Sequence, residues 1–339
     1  MMSVTDLSQV GEARRAAGTL AADAGLDESE RGTLAVIVTE LATNLARHAN
    51  QGVLALRVIG GPGACGIEAL AIDKGPGISD LSRAMEDGYS TGGTAGKGLG
   101  AIQRMASEFD VTSAATGTVI LARVWSAAGN RERKTRPRME GAVCTPIAGE
   151  RACGDGWLVM QTPTRTLAVI ADGLGHGPEA ARAADAALRM VRTHAQAGPA
   201  ELIQLCHGAL RPTRGAAMAI MEMRTDAEDI RFAGVGNIAG SIVTHTGTKS
   251  MASHNGTVGH SMYKVQEFSY PCPAEALVIM HSDGLMTRWR LDAYPGLVVR
   301  HPAVVAGVLH RDFIRGRDDA TVLVTRAVPR ADPAREFVT

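Results

Sequence analysis

The segment 126–140, SAAGNRERKTRPRME, constrains the fold more than any other stretch of the chain. It carries Arg131, Arg133, Lys134, Arg136 and Arg138, a proline, and almost nothing apolar, so a helix or strand there would have no face to bury. It reads as an exposed linker between two domains, although a basic run can also dock an acidic partner or nucleic acid. The flanking stretches, 1–125 and 141–328, are each long enough to bury a core, and 329–339 is a tail.

Charge and composition exclude several classes of function. Thirty-five basic residues balance 35 acidic ones, which leaves no net positive charge for neutralising nucleic-acid phosphates. Aromatic residues make up 4%, too few for base-stacking platforms. No apolar run approaches the ~18 residues that span a bilayer, and MMSVTDLSQVGEARR lacks the basic-then-apolar order of a signal peptide. Cys65, Cys144, Cys153, Cys206 and Cys272 are odd in number and never form CxxC, as expected of reduced thiols. The chain is expected to be cytoplasmic, with neither nucleic acid nor membrane as a partner.

Before the linker, Leu34, Ile37, Val38, Leu41 and Leu45 recur at helical spacing through 30–48. Short β-rich runs at 53–58 and 67–72 flank a Gly-Pro-Gly turn; a helix at 99–108 and a strand at 118–125 follow. On the first helix Glu40, Asn44 and His48 stand at i, i+4 and i+8, which puts a carboxylate, an amide and an imidazole on one face. Asp73-Lys-Gly75-Pro-Gly77 follows an apolar strand, and the glycine-rich GYSTGGTAGKGLG at 88–100 precedes a helix. Such a run leaves backbone N–H groups free to surround phosphate oxygens. Singly, these are a solvated helix face, a turn and a flexible loop. Their order makes them a set.

Glu40-x-x-x-Asn44-x-x-x-His48, Asp73-x-Gly75-x-Gly77 and Gly96-x-Gly98-Leu99-Gly100 resemble the N, G1 and G2 boxes of the GHKL ATPase superfamily, over about residues 5–125. Within it, GYSTGGTAGKGLGAIQRM is similar to the switch serine kinases of bacterial partner-switching and stressosome pathways. The resemblance implies that Asn44 ligates the Mg²⁺ bridging the ATP phosphates and that Asp73 accepts a hydrogen bond from the adenine amino group. Gly96, Gly98, Leu99 and Gly100 would close a lid over the triphosphate, with Lys97 reaching a phosphate or facing solvent. His48, Gly75, Gly77 and Thr118 would complete the ATP pocket. Glu40 would orient or deprotonate the attacking hydroxyl, the positioning task that phosphoryl transfer requires. Few residues precede the fold, so transfer to a histidine of the same chain is not expected.

After the linker, β-rich runs at 156–161, 166–171, 216–223, 230–234, 240–244, 276–280 and 321–326 surround an Ala-rich helix at 179–197. Aspartates stand at strand ends: Asp155, Asp172, Asp283 and the pair Asp318-Asp319. A single Asp-Gly after a strand is ordinarily a turn. Several of them converging, with few His and no Cys motif, favour a hard oxygen-loving cation, Mg²⁺ or Mn²⁺, and a metal-activated water in place of a cysteine nucleophile.

Gly154-Asp155, DGLGHG at 172–177, GVGN at 234–237, SDGL at 282–285 and DDATVL at 318–323 resemble the metal-dependent PPM serine/threonine phosphatases in their SpoIIE-like branch, over about residues 141–327. The resemblance implies two Mn²⁺ or Mg²⁺. Asp172 would bridge them, the Gly173 carbonyl would ligate one, Asp283 and Asp318 the other, and Asp155 would support the site. Cys153 stands where relatives often have Ser. His176 either meets substrate phosphate or shapes its loop, Asp319 either ligates or caps a turn, and Asn237 holds a turn. No arginine for gripping substrate phosphate is evident.

The expected fold class is α+β: an N-terminal GHKL ATPase α/β sandwich followed by a PPM-type β-sandwich flanked by helices. The resemblances imply a bifunctional regulator whose halves phosphorylate and dephosphorylate Ser or Thr of a STAS-domain protein, with anti-sigma factors or stressosome components as further partners. They leave open dimerisation through the kinase half. The alternative is a phosphatase regulated by an ATP-binding docking domain that transfers no phosphate.

Overall fold

Residues 1–61, 63–86, 98–135, 139–224 and 227–327 are described by a computed structural model. The first half runs β1 (Met2–Ser3), α1 (Gln9–Asp23), α2 (Glu28–His48), β2 (Val53–Gly61), β3 (Ala64–Ile72), α3 (Leu81–Ala84), α4 (Leu99–Met105), β4 (Glu108–Ala114), β5 (Gly117–Trp125) and α5 (Ala127–Thr135). The strands form one antiparallel sheet in the order β1-β2-β3-β5-β4. Asp27 starts α2 with a capping box, its carboxylate accepting from Glu30 N while the Glu30 carboxylate accepts from Asp27 N. The helical repeat from Leu34 to Leu45 then packs on Ala13, Ala17 and Ala21 of α1 and on Ile67, Ala69 and Ala71 of β3.

Two expectations need correction. The segment 126–140 is more than an exposed linker, since Ala127–Thr135 is helical. Its buried Gly129 lets backbone pack where no apolar side chain is available: a Cβ there would meet Cys65 O at 2.7 Å. Arg133 Nη2 also donates to Ser107 O at 2.9 Å, so a basic side chain is used within the fold. The helix expected at 99–108 stops at Met105, and Glu108 opens the strand β4.

Across the sheet Arg57, Glu68, Arg123 and Glu108 lie in direct register on β2, β3, β5 and β4. Glu68 accepts from Arg57 and from the fully buried Arg123, whose Nη1 donates to Glu108 at 2.9 Å. Burial opposes ionisation of Glu68, but the two guanidinium groups overcome it and hold the carboxyl down to about 2.

The second half runs β6 (Glu140–Thr145), β7 (Asp155–Gln161), β8 (Arg165–Gly173), α6 (Pro178–Thr193), α7 (Pro199–Leu210), β9 (Ala216–Arg224), β10 (Asp229–Val235), β11 (Ala239–Thr244), β12 (Gly247–Met251), β13 (Phe268–Pro271), β14 (Leu277–His281), α8 (Pro302–Phe313) and β15 (Ala320–Arg326). Two antiparallel sheets, β13-β10-β9-β8-β7 and β12-β11-β14-β15-β6, stack face to face. Alternation along β8 divides its side chains: Ala168 and Ile170 enter the core between the sheets, and Leu167, Val169 and Ala171 pack under α6 and α7.

By contacts the chain divides into two units, Met1–Arg138 with Val299–Arg311, and Met139–Val298 with Asp312–Thr339. Most of α8 therefore belongs with the sheet of the first unit, where a Cβ on Gly307 would come within 2.8 Å of Val119 Cγ1. Among the described residues, no helix is long and apolar enough to cross a membrane.

The charge ladder predicts an acid-sensitive fold. The Glu68 pKa lies below its ordinary 4.5, so its contribution is full above that value and is lost as pH falls through about 2. Glu68→Gln leaves Arg123 buried and incompletely paired, with an expected loss of about 3–5 kcal/mol in urea unfolding at pH 7. The substitution should also flatten the acid dependence of stability.

Candidate nucleotide pocket and metal centre

In the first unit, α2 turns its apolar stripe inward, leaving Glu40 and Asn44 half-buried and His48 exposed near its C-terminal end. That end meets the Asp73 loop: Lys74 N donates to Asn50 O at 2.9 Å, and a Cβ on Gly75 would lie 2.9 Å from His48 O. Asp73, just beyond β3, accepts from Gly75 N at 2.6 Å and from Thr118 N at 3.3 Å, both at Oδ1. Burial raises its pKa, while these two backbone donors and the charge of Arg311 oppose the rise.

The glycines here are steric requirements. Gly77 has φ +76°, and a Cβ would lie 2.1 Å from Ala114 O; at Gly117, φ +130°, it would lie 1.9 Å from Asp73 O. The hydroxyl of Thr118 is 3.0 Å from Ser113 Oγ, which accepts from Ile78 N, so Thr118 ties the loop to the β4–β5 hairpin. Gly98 precedes α4 in extended backbone, Leu99 is buried, and a Cβ on Gly100 would meet Met85 O at 2.4 Å. Gly96 and Lys97 lie outside the described residues. The structure thus brings Asp73, Gly75, Gly77 and Thr118 together beside the end of the helix carrying Glu40, Asn44 and His48.

In the second unit, Asp155 and Asp172 face each other across the β7–β8 ladder. Asp155 is buried; its Oδ2 accepts from Ser282 Oγ at 2.6 Å, and its Oδ1 has no hydrogen-bond partner. Ser282 in turn accepts from Thr321 N at 2.9 Å, fixing its hydroxyl. Asp283, at the end of β14, accepts from Asn237 Nδ2 at 2.6 Å. Gly173 is confined by α6, where a Cβ would lie 2.1 Å from Ala180 O.

Electrostatics mark these carboxylates as one group. Burial pushes Asp172 up to about 9, with Asp155, Asp283 and Asp318 adding to the rise. Burial also lifts Asp155 to about 6, opposed by the Ser282 hydrogen bond and reinforced by Asp319 and Asp318. Asp283 is raised by burial and Asp318, against Arg315 and Asn237. Among the described residues no three His, Cys, Asp or Glu side chains are arranged as they stand around one ion position. The donors nevertheless fit a hard cation: all are oxygens, they destabilise one another when ionised, and one buried carboxylate oxygen lacks any donor.

The residues left open in the sequence take definite places. Asp319 accepts from Ile147 N and Gly154 N, both at 2.8 Å, and so clamps the backbone before Asp155. Asn237 does more than hold a turn, since it bonds Asp283. His176 Nδ1 lies 2.9 Å from Glu150 Oε1, a contact that shapes its loop. The role of Ser282 was not read from the sequence, although it stands directly beside Asp283 in SDGL.

The family model for a histidine kinase-like ATPase domain matches residues 4–124, and the model for stage II sporulation protein E (SpoIIE) matches residues 162–328. The serine/threonine-protein kinase RsbT of Bacillus subtilis (strain 168) is 34% identical over 114 residues, which span 33% of this chain and 86% of RsbT. The phosphoserine phosphatase RsbX of the same organism is 27% identical over 90 residues, spanning 26% of this chain but only 45% of RsbX. A solved structure concerning the bacterial stressosome, described as a modular system adapted to control secondary messenger signaling, aligns with TM-score 0.52 and 29% identity. It covers 56% of this chain and 98% of its own.

Because the folded pKa of Asp172 is raised, metal-free stability should be full below its ordinary 3.8 and fall as pH rises toward about 9. At pH 7 Asp172 must take up a proton to be buried, and Asp172→Asn removes that cost, so the metal-free Tm at pH 7 should rise, by about 2–4 °C per kcal/mol relieved. The same variant should lose the wild-type Mn²⁺-induced rise in Tm, which at a hundredfold excess over Kd corresponds to about 2.7 kcal/mol. Thermal melts with and without Mn²⁺ measure both effects.

Proposed function

From a chain that belongs to the RsbT-like histidine kinase-like ATPases and joins that domain to a SpoIIE-type, PP2C-like phosphatase domain, we propose a bifunctional partner-switching regulator. One half phosphorylates Ser or Thr of a STAS-domain protein and the other removes that phosphate. The observation that carries the phosphatase half is the group of mutually repelling carboxylates around the unpartnered Asp155 Oδ1. The kinase half is supported by the likeness to RsbT and by the fixed Asp73 loop beside the end of α2. A cytoplasmic location and the stressosome or anti-sigma class of partner belong to the same proposal.

In the first unit, Asn44 would hold the Mg²⁺ of ATP and Asp73 the adenine amino group. Glu40 would orient the substrate hydroxyl and take its proton as the oxygen bonds to the γ-phosphorus and the bond to the β,γ-bridging oxygen breaks, releasing ADP. In the second unit, Asp172, the Gly173 carbonyl, Asp155, Asp283 and Asp318 would hold two Mn²⁺ or Mg²⁺. Bound there, divalent cations supply the charge that lowers the pKa of water and neutralises phosphoryl oxygens. The chain contributes orientation. Ser282 fixes Asp155, Asn237 fixes Asp283, and Asp319 fixes the Gly154 backbone. Hydrolysis adds water across the P–O bond and returns the serine hydroxyl and inorganic phosphate.

The test is phosphate release from a phosphoserine STAS-domain protein, compared without metal, with Mn²⁺, and for Asp172→Asn with Mn²⁺. Release should need both the metal and Asp172, with the variant down about a thousandfold or more. Metal-independent release, or full activity in the variant, would contradict the proposal. A working phosphatase that never transfers phosphate from ATP would leave the first unit as a nucleotide-binding docking domain.

A further inference from the structure

A phosphomonoester brings two negative charges toward a site already walled by Asp155, Asp172, Asp283 and Asp318, so its approach side calls for a cation on the chain itself. Arg214 stands on the turn between α7 and β9, and that turn is pinned from several directions. Thr213 Oγ1 donates to Leu210 O and accepts from Gly215 N, and the Thr213 carbonyl lies 3.0 Å from His260 Nε2. Gly215, at φ +78°, is wedged so tightly that a Cβ would lie 2.7 Å from both His260 Cδ2 and Val258 O. Ala216 and Val258 exchange two backbone hydrogen bonds just beyond it.

The pinned turn is fastened to the metal-ligand loop. Leu174 N donates to Gly215 O at 3.0 Å, directly after Asp172 and Gly173. A Cβ built on Gly175 would lie 3.1 Å from Arg214 Nη1, so the guanidinium lies across the bare α-carbon of Gly175. The Gly175 carbonyl in turn approaches Gly154, the residue before Asp155, at 3.4 Å from a Cβ built there. Arg214 is exposed and makes no ion pair or hydrogen bond to any described residue. Arg182, on α6, is paired with Glu179. A guanidinium on a fixed backbone, bordering the carboxylate loop and open to solvent, has the fork geometry that matches two phosphoryl oxygens.

We infer that Arg214 is the phosphate-gripping residue of the phosphatase site, engaging the non-bridging oxygens of a phosphoserine or phosphothreonine against the Asp172–Gly175 loop. The inference rests on the phosphatase reading and adds to it the chain's own determinant for a phosphomonoester. Gly175 then has a second role beyond its φ of +85°, since any side chain there would displace the guanidinium.

The experiment is steady-state hydrolysis of a phosphoserine peptide with Mn²⁺ by wild type, Arg214→Ala, Arg214→Lys and the control Arg182→Ala. Alongside it, the rise in Tm on adding inorganic phosphate is measured with Mg²⁺ present. Arg214→Ala should raise KM and the inhibition constant of inorganic phosphate about ten- to a hundredfold, the effect of losing a charge-assisted hydrogen bond. Arg214→Lys should keep part of the lost binding, and Arg182→Ala should match wild type. The phosphate-induced Tm rise should shrink in Arg214→Ala while the Mg²⁺-induced rise is kept, which separates lost phosphate binding from misfolding. Wild-type KM and phosphate affinity in an active Arg214→Ala would overturn this inference alone. No hydrolysis by wild type would overturn the phosphatase reading and the inference with it.

Discussion

Two carboxylates held opposite each other across a strand pair set the terms for the second unit. The β7–β8 register fixes Asp155 against Asp172, and burial makes their ionised forms unfavourable together. The surroundings tighten this arrangement. Ser282 occupies one oxygen of Asp155 and leaves the other bare, and Asp319 secures the backbone that leads into it. A cluster of this kind costs stability in the metal-free protein, and a hard divalent cation is the ligand whose charge would offset that cost.

The first unit reaches its site by a different route. There the strain is steric, with glycines at 75, 77 and 117 letting three chain segments crowd around Asp73. Two backbone donors hold Asp73 Oδ1 in place, so the carboxylate is oriented before any ligand arrives. Beside it, the Arg57–Glu68–Arg123–Glu108 ladder locks the sheet in register with charge where the neighbouring positions use apolar contact. Both halves rely on preorganised carboxylates, one fixed by backbone donors and the other by mutual confinement.

Much of this was legible in the sequence because it is local. The helical spacing of Glu40, Asn44 and His48 and the Asp-Gly steps after apolar strands need only near neighbours to be recognised. What escaped depends on partners far along the chain. Asp319 meets Gly154 and Ser282 meets Asp155 only after the two sheets have stacked, and Asn237 meets Asp283 only once β11 has paired with β14. The helix at Ala127–Thr135 escaped because its packing uses the backbone of Gly129, which a search for apolar side chains overlooks. Arg214 escaped for a similar reason: its relation to the Asp172–Gly175 loop runs through the backbone contact between Leu174 and Gly215.

The proposed pairing of opposed reactions on one chain is tested most directly by following a single STAS-domain serine in the presence of ATP and Mg²⁺. With Asp172→Asn, in which the proposed hydrolysis should be lost, phosphoserine on the partner should accumulate to near completion by intact-mass and site-mapping measurements. With Glu40→Ala, the same phosphorylated partner should be returned to its unmodified form and never refilled. A partner that stays unphosphorylated with Asp172→Asn and ATP, despite measurable nucleotide binding, would contradict the bifunctional reading.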